Sequence, residues 1–159
     1  MKRLLKLALP IMLLSVSACG FQPVYSTGLT SGSGAVQVDM IGGRTGHALR
    51  KALLRETAAG LPGTSGFAVI TVDLDERIKR LALKPDGAAG RSSVNLSARY
   101  VIELPDDALS GRAESEVYFN VPREPFGDIS AQNDAAERGA NDLARRIVDD
   151  IRLQLANRE

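Results

Sequence analysis

The sequence predicts an α+β fold: a two-layer sandwich whose four-stranded, mostly antiparallel sheet carries two helices on one face, in the order β-α-β-β-β-α. Two observations lead to this prediction. Four segments alternate apolar and polar side chains with a period of two, which is typical of strands with one covered face. Two further segments repeat apolar residues every three or four positions, as helices do. Together they fill residues 35–159, the length of one ordinary domain.

Each of the four predicted strands has an apolar face and a mostly polar one. The positions on the apolar faces are Val36, Val38 and Met40; then Ala68, Ile70, Val72, Leu74 and Ile78; then Val94, Leu96, Ala98, Tyr100, Ile102 and Leu104; and last Ala113, Ser115, Val117, Phe119 and Val121. Because the residues between them are mainly charged or hydroxylated, we expect a sheet that is covered on one side only.

Two amphipathic helices are expected to form that cover. The first is predicted to be capped by Thr45 and to run to about Ala59, where Gly60 and Pro62 end it. The second is predicted to begin near Ser130. Its apolar stripe consists of Ala136, Ala140, Leu143, Ile147, Ile151 and Leu155.

The amino terminus has the organisation of an export signal. Basic residues precede an apolar stretch, residues 7–16, which as a helix would be only about 15 Å long, half the hydrocarbon thickness of a bilayer. The run Val16-Ser17-Ala18 before Cys19 resembles a lipobox, and Cys19 is the only cysteine. We therefore predict a lipoprotein signal peptide at residues 1–18, with Cys19 as the lipid attachment site that holds the protein to a membrane.

Residues 19–34 are predicted to form a lipidated flexible tether, because they are rich in Gly, Ser and Thr. The residue after Cys19 is Gly20, whereas an Asp there would resemble the inner-membrane retention signal of enteric bacteria. The sequence therefore favours lipid anchoring on the periplasmic side of the outer membrane. Removal of residues 1–18 leaves seventeen basic and nineteen acidic side chains, a balance that gives no indication of nucleic-acid binding.

No group of residues indicates an enzyme. The only histidine, His47, lies in the first turn of the first helix. The sequence has no nucleophile motif such as GxSxG whose serine this histidine could activate as a base. Asp73, Asp75 and Glu76 lie on a predicted strand, not in a loop that would supply further oxygen ligands to a metal. We therefore expect no catalytic residues, no metal site and no cofactor.

Basic residues surround the predicted hairpin between the second and third strands. Arg77 and Lys79 lie near the end of the second strand, Lys84 and Arg91 flank the loop, and Arg99 lies on the facing strand. Several cations on a rigid edge can bind the phosphates of an anionic lipid. On spacing alone, the simpler interpretation is solubilising charge that neighbouring acidic residues balance.

Four segments, residues 19–25, 44–50, 91–100 and 130–138, resemble the lipopolysaccharide-assembly lipoproteins called LptE, in their alphaproteobacterial form. The resemblance implies a plug inside the LptD-like outer-membrane β-barrel that inserts lipopolysaccharide into the outer leaflet, and support of that barrel's assembly. It also implies direct lipopolysaccharide binding. On this basis, the expected contacts for lipid phosphates or sugars are Lys84, Arg91, Arg99, Arg77 and Lys79.

Two other kinds of envelope protein fit the same sequence. One is a pilotin-like lipoprotein that escorts another secretion barrel, and the other is a periplasmic ligand-binding lipoprotein with a small apolar pocket. Co-purification separates them, since a barrel plug should be extracted with one large barrel protein and a ligand binder should be extracted alone.

Overall fold

The structure, a computed structural model, describes residues 34–64, 66–83, 89–122 and 124–158. The signal peptide, Cys19, nearly all of the tether and Lys84 lie outside these residues, so the predictions made for them remain predictions.

The described chain forms four strands and two helices in the predicted order. They are β1 (Val36–Val38), α1 (Gly43–Glu56), β2 (Ala68–Leu83), β3 (Ala89–Glu103), β4 (Ala108–Asn120) and α2 (Pro125–Ala156). The strands lie side by side in the order β1-β2-β3-β4. β1 runs parallel to β2, and the other two pairings are antiparallel. The predicted α+β class and element order are confirmed.

The core lies between one face of the sheet and the two helices. The buried side chains include the even-numbered residues of β3 from 94 to 102 and the apolar stripe of α2. α2 packs against β4, β3 and α1. The six predicted stripe residues of α2 are all among the buried ones. Fully burying a Leu or Ile side chain contributes about 1.5–3 kcal/mol, so this stripe accounts for the docking of α2.

A partly buried polar cluster holds the carboxyl-terminal half of α2 on the sheet. The hydroxyl of Tyr100 in β3 is hydrogen-bonded to Asp150, and Gln154 donates to Tyr100 at 3.1 Å. Gly111 in β4 provides the space, because a Cβ atom there would collide with the Tyr100 hydroxyl and with the Asp150 carboxylate. We expect any larger residue at position 111 to displace this cluster.

The element ends differ from the predictions in ways that have local causes. β1 stops at Val38, and Met40 is 83% exposed because the chain leaves the sheet after Asp39 to enter α1. α1 begins at Gly43, where φ is +79°, so Thr45 lies inside the first turn and makes no capping hydrogen bond. α2 begins at Pro125 instead of near Ser130, in agreement with the preference of proline for the first helical position.

The distal half of β2 extends beyond the helical cover. Ile78, predicted to face the core, is 44% exposed, and the bulge residue Leu81 is 48% exposed. The cause is that α2 lies over β3 and β4, so the even-numbered face of β2 has no cover after Leu74. At 16 residues, β2 is about 50 Å long at 3.2–3.4 Å per residue.

The chain enters the sandwich at one end, and the β2–β3 hairpin lies at the other. β1 begins beside Ala68, the first residue of β2, whereas β2 ends, β3 begins, β4 ends and α2 begins at the opposite end. We call that opposite end the hairpin end; it comprises residues 76–83, 89–95, 116–122 and 124–138. Within the described ranges, no helix combines the length and the apolar character needed to cross a membrane.

Candidate functional site

The uncovered face of the sheet is almost entirely polar. Its side chains come from the odd-numbered residues of β2 and β3 and the even-numbered residues of β4, which the strand pairing places in rows across the sheet. Its charged members are Asp73, Asp75, Arg77, Lys79, Arg91, Arg99, Glu103, Arg112, Glu114 and Glu116. Five positive and five negative charges therefore share one solvated face.

Two of the predicted lipid contacts are held by carboxylates on this face. Arg77 lies 2.8 Å from Asp75, and Arg99 lies 2.9 Å from Asp73, which the pairing of β2 with β3 places directly opposite. The side chains of Arg99 and Asp73 are 74% and 71% exposed, so their pairing contributes little to stability. The charges of Arg77 and Arg99 are therefore balanced by neighbouring carboxylates, as the simpler interpretation of the sequence expects.

Lys79 and Arg91 lie closer to the hairpin end. Lys79 is directly opposite Ser93 in β3, and its charge helps a hydrogen bond from Ser93 to lower the pKa of Glu116. The guanidinium of Arg91 lies over the ring of Tyr118, 5.1 Å from the centroid, in cation–π geometry. Neither Lys79 nor Arg91 makes a salt bridge with another described residue.

Arg91 also lines a cleft of about 370 Å³ between the end of β4 and the first turns of α2. The other lining residues are Tyr118, Phe119, Asn120, Ala131, Asp134 and Arg138. Arg138 is paired with Asp134, so Arg91 supplies the excess positive charge. A cleft with two guanidinium groups, a phenol and a carboxamide can bind phosphate or sugar oxygens.

The cleft residues on α2 were not predicted as part of a site. The spacing of Asp134 and Arg138 is that of a helical ion pair, which could be read from the sequence, but their position beside Arg91 depends on how α2 packs. Tyr118 could have indicated the site from the sequence more readily than the α2 residues, because it is the one aromatic side chain on the otherwise polar face of β4.

Exposed apolar side chains lie at the same end of the molecule. Phe126 and Ile129, in the first two turns of α2, are 86% and 58% exposed. Ile78 and Leu81 of β2 are also exposed there. The hairpin end thus combines cations with apolar surface, the two features that an amphiphilic lipid requires of a binding surface.

The structure therefore brings together part of the predicted set. Arg77, Lys79 and Arg91 lie at or near the hairpin end, whereas Arg99 is eight residues from Arg91 along β3, about 27 Å. His47 is exposed at the start of α1. Lys84 lies outside the described residues.

A separate polar contact holds α2 against β4. Asp142 of α2 accepts a hydrogen bond from Ser115 of β4 at 2.9 Å and another from Arg146 at 2.8 Å. Partial burial raises the pKa of Asp142, but the hydrogen bonds from Arg146 and Ser115 outweigh it and hold the pKa below its usual value.

Lowering the pH is expected to destabilise the fold through Asp142 and Glu116. Both carboxyl groups have a lower pKa in the folded chain than is usual for their type, so each stabilises the fold above the unfolded-state pKa of about 4 and loses this contribution as pH falls further. The urea concentration at the midpoint of unfolding, measured from pH 7 to pH 3, should decrease once the pH is below about 5. Asp142→Asn should show a smaller fall, and a midpoint that rises on acidification would refute the assignment.

Solved structures that share this fold include two proteins named as lipoproteins. No protein-family model matches the chain, and no curated protein matches it significantly. A candidate lipoprotein from Caulobacter crescentus CB15 is 25% identical, with a TM-score of 0.63 over 82% of this chain and 97% of that one. Rare lipoprotein B from Shewanella oneidensis is 13% identical, with a TM-score of 0.58 over 77% and 96%. The described domain thus has the fold of solved proteins described as bacterial lipoproteins.

Proposed function

We propose that this chain is a lipid-anchored outer-membrane lipoprotein of the LptE type, which plugs the LptD-like barrel, supports its assembly and helps to deliver lipopolysaccharide to the outer leaflet. The lipobox-like run before Cys19 supports the lipid anchor. The likeness to the Caulobacter candidate lipoprotein supports it independently, and the Shewanella protein shares the fold of the domain.

The observation that carries the proposal is the combination of cations and exposed apolar side chains at the hairpin end, far from the point where the chain enters the sandwich. β2 alone is about 50 Å long, and a bilayer with its headgroups is about 40–45 Å thick. A domain anchored at the periplasmic surface is therefore long enough to carry Arg91, Lys79 and Phe126 through a barrel to the level of the outer leaflet.

The uncovered sheet face suits the same environment. It carries equal numbers of positive and negative side chains, which are mostly exposed. Large outer-membrane barrels have a polar, water-filled interior, so a face of this kind could remain hydrated beside the barrel wall. The same face would be costly against lipid, since each arginine or lysine side chain at the bilayer midplane costs about 2–4 kcal/mol.

Arg91 is the most informative position at which to test lipid contact. Arg91→Glu should weaken binding of purified lipopolysaccharide about tenfold, because it removes the excess positive charge of the cleft and adds a second carboxylate to the cleft that Asp134 lines. Arg145→Glu, at an exposed arginine on the helical layer, is the matched control and should leave binding unchanged. Affinities would be measured by surface plasmon resonance. Equal effects of the two substitutions would show that binding depends on the total charge of the protein and would contradict a specific contact at the cleft.

Extraction of the full chain in mild detergent tests the partner. We expect a stable complex with one large outer-membrane barrel, identified by mass spectrometry as the lipopolysaccharide-inserting protein. Recovery with a secretion barrel would favour the pilotin-like alternative. Recovery of the chain alone would favour a periplasmic ligand binder.

A further inference from the structure

The solvent-exposed face of α1 is cationic. Its members are Arg44, His47, Lys51, Leu54 and Arg55, all of which are exposed, while the buried residues of the helix face the core. At 3.6 residues per turn, Arg44, Lys51 and Arg55 lie within about 40° of one another around the helix axis. These three residues therefore form one straight row about 17 Å long, which we call the basic stripe.

The positive charge of the basic stripe is not balanced within the described part of the chain. None of its three cations makes a salt bridge with another described residue. Arg55 donates a hydrogen bond at 2.6 Å to the side chain of Asn141, which is uncharged. Glu137 lines a small groove together with Arg44, but the two make no salt bridge. α1 itself has one acidic residue, Glu56, at its last position.

The exposed charges of the neighbouring helix α2 are arranged differently. Arginines of α2 lie beside aspartates three or four positions earlier, in the pairs Arg138–Asp134, Arg145–Asp142 and Arg152–Asp149. Pairs of this spacing neutralise each other on the helix surface. Residues 19–159 contain seventeen basic and nineteen acidic side chains, yet α1 holds four basic residues and one acidic one. α1 is thus a cationic patch on a domain that is otherwise net acidic.

The basic stripe lies in the half of the domain where the chain enters. α1 packs beside β1, and Arg50 donates a hydrogen bond to the carbonyl oxygen of Val38 at 3.0 Å. Residues 19–38, between the predicted lipid site and α1, contain no charged side chain. The tether predicted for residues 19–34 would span about 20–24 Å on root-mean-square average. The predicted anchor would therefore hold the stripe close to a membrane surface and raise the effective concentration of lipid headgroups there.

We propose that the basic stripe of α1 binds the anionic phospholipid headgroups of the bilayer that carries the lipid anchor, so that the helical layer lies on that bilayer. A straight row of cations on a convex helix can contact a flat anionic surface along its whole length, and phosphate oxygens accept hydrogen bonds from guanidinium and ammonium groups. Each Lys or Arg near such a surface strengthens binding roughly fivefold.

The contact is electrostatic, because Leu54 is the one apolar member of the exposed face. The inference does not depend on the proposed function. In the proposed plug, β2 extends through the barrel, whereas here the helical layer faces the bilayer, so the two are separate states of the protein.

Co-sedimentation with vesicles tests the contact without the anchor. The mature chain carrying Cys19→Ser should bind vesicles of phosphatidylethanolamine with about one third phosphatidylglycerol, and should not bind phosphatidylcholine vesicles. Arg44→Gln/Lys51→Gln in this chain should weaken binding about twentyfold, since two cations are lost. Arg44→Lys/Lys51→Arg keeps both charges and should bind within about threefold of the parent.

Arg112→Gln/Arg145→Gln is the charge-matched control. It removes two exposed arginines that pair with carboxylates outside α1, and binding should stay within about threefold of the parent. Circular dichroism should show unchanged folding in all variants, because the substituted side chains are exposed. Equal losses in the two double Gln variants would show that binding follows total charge. A parent chain that does not bind anionic vesicles would mean that the stripe serves another partner, such as an acidic protein segment. Either result would overturn the proposal.

Energy transfer measures the orientation of the lipidated full chain. Acylation blocks the thiol of Cys19, so a donor dye can be attached at His47→Cys on α1 or at Ser110→Cys on the uncovered sheet face. In phosphatidylglycerol-containing vesicles with acceptor-labelled headgroups, transfer from position 47 should be at least about twofold more efficient, because the two positions lie on opposite layers of the sandwich. In phosphatidylcholine vesicles this difference should disappear. Equal transfer from both positions in the anionic vesicles would contradict the proposed orientation.

Discussion

Replacing Leu143 by alanine is expected to lower the free energy of unfolding by about 2–5 kcal/mol. Leu143 is completely buried in the stripe by which α2 docks on the sheet, and truncating a buried leucine loses its transfer free energy and leaves a cavity. Urea denaturation followed by circular dichroism would give the difference directly. Because native domains are stable by only about 5–15 kcal/mol, this loss is large.

Leu153→Ala is the matched control for this experiment. It changes the same residue type in the same helix, but Leu153 is 64% exposed, and alanine and leucine are both strong helix formers. We expect a change within about 0.5 kcal/mol. Equal losses at the two positions would contradict the orientation of α2 on the sheet.

Replacing Cys19 by serine, behind a signal peptide that does not depend on lipidation, is expected to release the protein from the membrane. The unchanged chain should carry two or three acyl chains on Cys19, each methylene contributing about 0.8 kcal/mol to membrane binding. The membrane-bound fraction after washing should therefore fall at least about a hundredfold.

Mass spectrometry and a nearby substitution complete the test of the anchor. The mature unchanged chain should begin at acylated Cys19, and Ser26→Ala, in the same tether, should leave both mass and membrane binding as they are apart from the substitution itself. An unmodified amino terminus at any other residue would contradict the predicted anchor.

The class of the fold could be predicted because each strand and helix has a clear apolar period. Leu96 and Ile102 in β3, and Ile147 and Ile151 in α2, are buried as their spacing predicts. The ends of the elements could not be predicted in the same way. Ile78 follows the alternation of β2, yet it is exposed because the position of α2 over β3 and β4 depends on tertiary packing.

The site was predictable only in part for the same reason. The cationic character of the hairpin could be read from the sequence, but strand register determines that Asp73 lies opposite Arg99 and pairs with it. Helix packing determines that Arg138 joins Arg91 at the cleft. Neither relationship follows from residue spacing, since the partners come from different elements.

Lipopolysaccharide at the cell surface, measured after depletion of this protein in its own host, tests the central claim most directly. The account predicts that surface lipopolysaccharide falls together with the amount of correctly assembled barrel, and that re-expression of the unchanged chain restores both. Normal lipopolysaccharide export and normal barrel assembly in depleted cells would contradict the account.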